Sequence, residues 1–341
     1  MVKNKVFLRY LSISALSVLC AACDNGTSKS SSNFSSTSNT ENIGDQPKTN
    51  LRPVVIDESN VKSISSAALK SALLSDFSNT AIDTAVAVTR NKNEKLADMA
   101  TAVVVNLNDI PCAEQGNMTI NAIISDQSDP VQLDFENPLT MNFQTLFNGC
   151  NQGIATLTGD FLLIFEMLFE ELFNYNQYNF EAYAVTNNLT VEQAGFLPYD
   201  ISGEFYYRIS SSDGENSTTE MTAESLYYYA DDNYEFSSFE STKDVVKSTG
   251  YYVYSMMGEL IVQGDDPQVV RYSTIEPMTG TGYTLPVSGI LSVEGLNESL
   301  LIYILADQTI NLFLDLENDG SFDVVTQSTW QELVLNQISI E

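Results

Sequence analysis

The run DLENDGSFD at 315–323 sets oxygen-bearing side chains at the alternate spacing that a hard cation requires. Asp315, Glu317 and Asp319 fall at positions 1, 3 and 5 of a calcium loop, Gly320 at its sharp turn, Ser321 at the backbone-carbonyl position and Asp323 at position 9. Thr326 stands where a bidentate Glu would close an EF-hand. Two readings follow. The run is a calcium site lacking one ligand, or it is a plain hairpin in which Leu312 and Leu314 point in and NDG makes the turn. Other chemistry is excluded more firmly. The chain contains no histidine, so Ser-His-Asp and Cys-His catalysis, HExxH zinc sites and imidazole proton shuttles are absent. A formal net charge of −30 turns nucleic acids and anionic headgroups away. Carboxylate pairs for glycoside hydrolysis are conceivable, but the acidic clusters at 213–215, 231–232 and 265–266 sit in predicted turns, where solvated charge is ordinary.

The N-terminus, MVKNKVFLRYLSISALSVLCAAC, has the layout of an export signal: Lys3, Lys5 and Arg9, then an apolar stretch from Leu11 to Leu19, then small residues. Its end, Ala21-Ala22-Cys23, resembles the lipobox of bacterial lipoproteins, although Cys20 stands where that family usually has Leu. The resemblance implies removal of residues 1–22, acylation of Cys23 by palmitate-type chains, and anchoring to the inner or outer membrane of a cell envelope, with the body in the periplasm or at the cell surface. An ordinary secretory signal is the alternative. Two or three acyl chains suffice for stable anchoring, at ~0.8 kcal/mol per buried methylene. In that oxidising setting Cys112 and Cys150 are expected to pair; two buried thiols are the other reading.

Residues 23–50 comprise the anchor and a tether rich in Ser, Asn and Thr, which cannot bury enough apolar surface to order itself. A body at 51–341 follows. Its first part, about 59–105, reads as one or two helices. The first passes through Val61, Ile64, Ala68, Leu69 and Leu73, capped by Ser59 or Asn60; the second is predicted from about 80 to 105. From about 116 to 335 the text turns to short alternating runs: MTINAIIS (118–125), ISGEFYYRIS (201–210), PVSGILSVEG (286–295), NLFLDL (311–316) and FDVVTQ (322–327). SDG (212–214), ADDN (230–233), GDDP (264–267) and NDG (318–320) supply turns. One segment, DFLLIFEMLFEELF at 160–173, fits helix and strand almost equally, and its flanks favour strand. The fold class is mainly β: a large antiparallel meander, as an open barrel or sandwich, with one or two N-terminal helices. Tyrosine runs at 205–208, 227–229 and 251–254 would stack sugars if exposed, but Tyr is also a favoured strand residue.

The order of lipobox cysteine, Ser-rich tether, FNGC (147–150), LTGD (157–160), PVSGILSVEG, LFLDLENDGSFD and STWQEL (328–333) resembles a group of Gram-negative lipoproteins that share a terminal strand, Asp-Gly loop, strand and Trp. That resemblance implies a β-rich envelope protein in which Trp330 caps the last hairpin's core, and implies no activity. The Asp-rich run is likewise similar to the looser calcium loops of extracellular bacterial modules. The expected function is a non-enzymatic binding or structural role, with apolar cargo as one ligand class and calcium as the one candidate cofactor. A carboxylate-dependent glycan hydrolase and a surface adhesin are the alternatives.

Overall fold

The computed structural model describes residues 51–72, 103–126, 139–151, 155–167, 178–193, 198–229, 233–262, 267–282 and 284–334. A two-residue strand, β1 (Arg52–Pro53), leads into a helix, α1 (61–72). Long strands follow: β2 (Val103–Pro111), β3 (Gln115–Asp126), β4 (Leu139–Asn151), β5 (Ala155–Met167), β6 (Tyr178–Gln193), β7 (Tyr199–Ser211) and β8 (Asn216–Tyr229). They continue as β9 (Asn233–Val246), β10 (Tyr251–Val262) and β11 (Gln268–Thr281). Shorter ones complete the set: β12 (Ser288–Glu294), β13 (Ser299–Ile304), β14 (Thr309–Asp315), β15 (Val324–Thr329) and a terminal helical turn, α2 (Trp330–Leu333).

From β2 to β15 every strand pairs antiparallel with its neighbour in sequence, so the chain builds one open meander whose end strands do not meet. The barrel and sandwich alternatives thus resolve to a single open sheet. The sequence alternation explains why. In β7, Ile201, Phe205, Tyr207 and Ile209 are buried while Glu204, Tyr206 and Arg208 face water, the period of a sheet covered on one side only. Residues 160–167 of the ambiguous segment lie in β5, with Phe161, Leu163 and Phe165 buried; 168–173 lie outside the described residues.

The inner face is continuous. Side chains from α1, from β3 to β14 and from α2 form one core cluster. The Lys70 ammonium of α1 lies 5.7 Å from the Tyr228 ring on β8, while Lys62 pairs with Glu332 and the Ser66 hydroxyl donates to the Leu333 carbonyl, both on α2 beyond β15. Seven inter-strand spacings on a flat sheet span ~34 Å, whereas Lys62 and Lys70 are ~12 Å apart along a helix. The sheet therefore curls around α1. Val61, Ile64, Ala67, Ala68, Leu69 and Ala72 are buried, and so are Ser65, Lys70 and Ser71, which leaves this helix little solvent face. A second inner-face cation, Lys243, sits 4.5 Å above the Tyr252 ring; both lysines lie where an aromatic face can offset part of their desolvation.

Several sequence expectations are sharpened or corrected. Asn60 stands at the cap of α1, its carbonyl accepting from Ile64 N (3.0 Å) and its side-chain oxygen from Asp57 N (2.9 Å). Asp57 is the further fastening that the sequence did not offer: its carboxylate accepts from Ser59 N (2.8 Å) and Asn60 N (3.2 Å), and its carbonyl from Val61 N (3.0 Å). The sheet starts at Val103, ahead of the predicted 116, because the β-branched run 103–105 continues into β2 rather than a helix. The rest of the predicted second helix, through 102, lies outside the described residues. In PVSGILSVEG, alternation predicts Val287, Leu291 and Val293 on one face; Leu291 and Val293 are buried, but Val287 is exposed and precedes β12.

β1 extends the sheet in an unusual place. It pairs parallel with Gln268 and Val269 at the start of β11, on the edge that β12 leaves bare beyond Glu294. Val54 N–H donates to the Val269 carbonyl (3.0 Å), and the Val54 carbonyl accepts from Leu296 N (2.8 Å). The buried Glu298 carboxylate then takes Ile56 N–H (3.2 Å).

At the opposite end, Cys112 and Cys150 form a disulfide with Cα atoms 5.4 Å apart, tying the β2–β3 turn to β4. Gly116 makes this approach feasible. It has φ +75°, and a Cβ there would stand 1.9 Å from the Gly149 carbonyl oxygen. Gly116→Ala is expected to cost at least about 2 kcal/mol, because the obstacle is backbone and the conformation already disfavours an L side chain. Urea denaturation measures it.

Candidate functional site

The Asp-rich run forms the β14–β15 hairpin loop. Asp315, at the end of β14, is 2% exposed and spends its carboxylate on backbone donors: Glu317 N (3.2 Å) and Asp319 N (3.2 Å) on one oxygen, Gly320 N (2.7 Å) on the other. Asp319 turns to Ser321 N (2.8 Å), and Asp323 reaches back to Leu316 N (2.9 Å). Gly320 carries φ +87° and Asn318 φ +51°, the left-handed pair that closes the loop. Glu317, Asp319, Ser321 and Asp323 are exposed. Among the described residues no three His, Cys, Asp or Glu side chains are grouped to hold a metal ion. The arrangement seen is that of the hairpin, with Asp315 as its internal hub. Asp315→Ala removes the acceptor for three N–H groups and is expected to lower unfolding free energy by about 2 kcal/mol; a denaturation curve against the parent checks it.

The tyrosine runs divide by strand parity. Tyr207, Tyr228, Tyr252 and Tyr254 point inward and are buried; Tyr206, Tyr229 and Tyr251 are exposed on the outer face. There, Tyr183 and Tyr206 pack their rings 5.2 Å apart across β6–β7, and the Tyr183 hydroxyl donates to Glu204. Partial burial, then Glu204, raises the Tyr183 pKa, so this phenol stays protonated. Next to it, Arg208 lies 3.5 Å from Glu181 and 3.6 Å from Glu220, neutralising charge within the surface.

A glycosidase acid needs a carboxyl whose pKa is raised. The displaced carboxyl groups among the described residues run the other way. Asp57 is lowered chiefly by the Ser59 hydroxyl, Asp213 by Asn216 N–H, Asp307 by the Thr309 side chain, and Glu332 by Lys62 and then Ser328. All four serve turns or caps. Asp213, for example, accepts from Glu215 N (2.9 Å) and Asn216 N (2.7 Å).

The outer face changes character toward the C-terminus. A cross-strand row runs Ser292, Leu301, Phe313, Val325 over β12 to β15. Tyr303 and Phe322 pack against Phe313 at 5.0 and 5.2 Å between ring centroids. Val325 is 64% exposed and Phe322 44%. Nothing in composition distinguished these residues from core; only the sheet's parity places them outside. The anchor candidate Cys23 lies outside the described residues. No protein-family model, curated protein or solved structure matches the chain.

Proposed function

We propose that the chain is a lipid-anchored cell-envelope protein with a non-enzymatic binding role, exercised by the outer face of its sheet. One observation carries the reading: the concave face, where a carrier of its shape would place apolar cargo, is filled by α1 and a continuous core of the protein's own side chains. The outer face is the surface left, broad, acidic and carrying the exposed Tyr206, Tyr229 and Tyr251. The disulfide fits an oxidising compartment, and the Lys-Arg, apolar, Ala-Ala-Cys sequence of the N-terminus supplies the route to it.

Metabolic labelling with palmitate, followed by membrane fractionation, tests the anchor. Label is expected in the membrane fraction of wild type and absent from Cys23→Ser. Mass spectrometry that found Met1 retained without lipid would overturn the assignment. Release of reducing sugars from envelope glycans would replace binding by hydrolysis.

A further inference from the structure

The two ends of the sheet are built differently. At one end, β2 carries the features that keep sheet edges from recruiting other chains: a register break between Leu107 and Ile110, the charge of Asp109 at φ +52°, and Pro111. At the other, β15 reads Val-Val-Thr-Gln-Ser-Thr. It has no charge, no proline and an unbroken register with β14, and among the described residues it has no neighbour on its far side. The chain then turns away from the edge: Trp330 N–H donates to the Gln308 carbonyl (3.3 Å) and the indole is fully buried. Every second residue of β15 thus directs its N–H and C=O outward along an unguarded edge. The Leu301–Phe313–Val325 row also stops there, with Val325 covered on one side only.

We propose that β15 is a docking edge for an extended peptide segment of another protein, added as a further antiparallel strand, with apolar residues continuing the Phe313–Val325 row and basic residues at its ends. This specifies the partner for the binding role proposed above and rests on it. Charge decides the occupant. Exposed Glu317, Asp319 and Asp323 stand beside the start of β15. A second copy would bring the same acids and another −30. A strand flanked by lysines meets complementary charge; main-chain bonds supply affinity and the alternate side chains select.

The test uses the full chain as it is purified in neutral detergent and a capped synthetic peptide, Lys-Lys-Thr-Val-Thr-Val-Thr-Val-Lys-Lys, with a counterpart in which every Lys is Glu. The lysine peptide is expected to bind with Kd of about 10–100 μM at low salt, weaken as salt rises, and slow amide exchange in 324–329. The glutamate peptide is expected to bind at least tenfold more weakly. Val325→Lys, at an exposed site that leaves the fold intact by circular dichroism, should lose at least tenfold, and Val325→Ile should retain binding. Equal affinity for both peptides, binding without altered exchange in 324–329, no binding at about 1 mM, or self-association by sedimentation would each overturn the proposal. Loss of lipid in the labelling experiment would leave this titration unchanged, so the two failures are separable.

Discussion

Replacing Trp330 by Ala is expected to lower the unfolding free energy by about 4 kcal/mol, a large share of what a domain has to lose. Trp330 is the only tryptophan of the chain and is 0% exposed. Truncation would leave a cavity under the last hairpin and deprive the Pro286 carbonyl of the indole N–H, 3.2 Å away. Its surroundings allow little collapse, because α2 is held from both sides. The Thr329 hydroxyl caps it by accepting from Glu332 N (3.1 Å), and Lys62 and Ser66 of α1 reach Glu332 and the Leu333 carbonyl. Trp330→Phe, which keeps most of the buried area but not the donor, is expected to lose about half as much. Urea melts followed by circular dichroism give both values, and the wild-type indole emission provides a second probe of the same transition. A loss below about 1 kcal/mol for the Ala variant would show that this end of the core is not closed as described.

Removing the disulfide with Cys112→Ser and Cys150→Ser together is expected to cost about 4 kcal/mol, because the cross-link spans a sequence separation of 38 and so restricts a long loop of the unfolded chain. The double variant is the informative one. A single Cys150→Ser would leave a buried hydroxyl beside a free thiol and mix two effects. Thermal melts of wild type with and without reductant should reproduce the difference, and Gly116→Ala in the reduced background should cost less than in the oxidised one, since the close approach at Gly149 is then free to relax.

Much of this fold is legible in the residues, for a physical reason. A sheet wet on one side must alternate, and Ile201, Phe205, Tyr207 and Ile209 announce their face without help from tertiary structure. Where the ladder carries irregularities the signal fails. β6 runs sixteen residues, but its register shifts between Thr186 and Leu189 and Asn188 takes φ +51°, so the apolar parity reverses midway and no single alternation survives. Val103 to Val105 show the opposite weakness: a continuous β-branched run has no period to read. The Asp315 loop is readable as a turn, and its internal hub is not, because three N–H donors converge only once the chain has closed. The docking edge is invisible in sequence for a deeper reason. Val-Val-Thr-Gln-Ser-Thr is unremarkable as a strand, and becomes exposed only because the topology places it last.

The seating of β1 and α1 has a consequence for how the protein comes into being. Consecutive strands pair with each other, so the meander can grow as the polypeptide is delivered. The segment that opens the body cannot join in: Ile56 waits for Glu298, 242 positions later, and Lys62 for Glu332, 270 positions later. The first part of the body delivered is the last to find its place, and until the C-terminus arrives the greasy hollow of a half-made sheet stands open. A chaperone that shields such surfaces would matter most in that interval, and its need should vanish once the N-terminal helix has closed over the finished sheet.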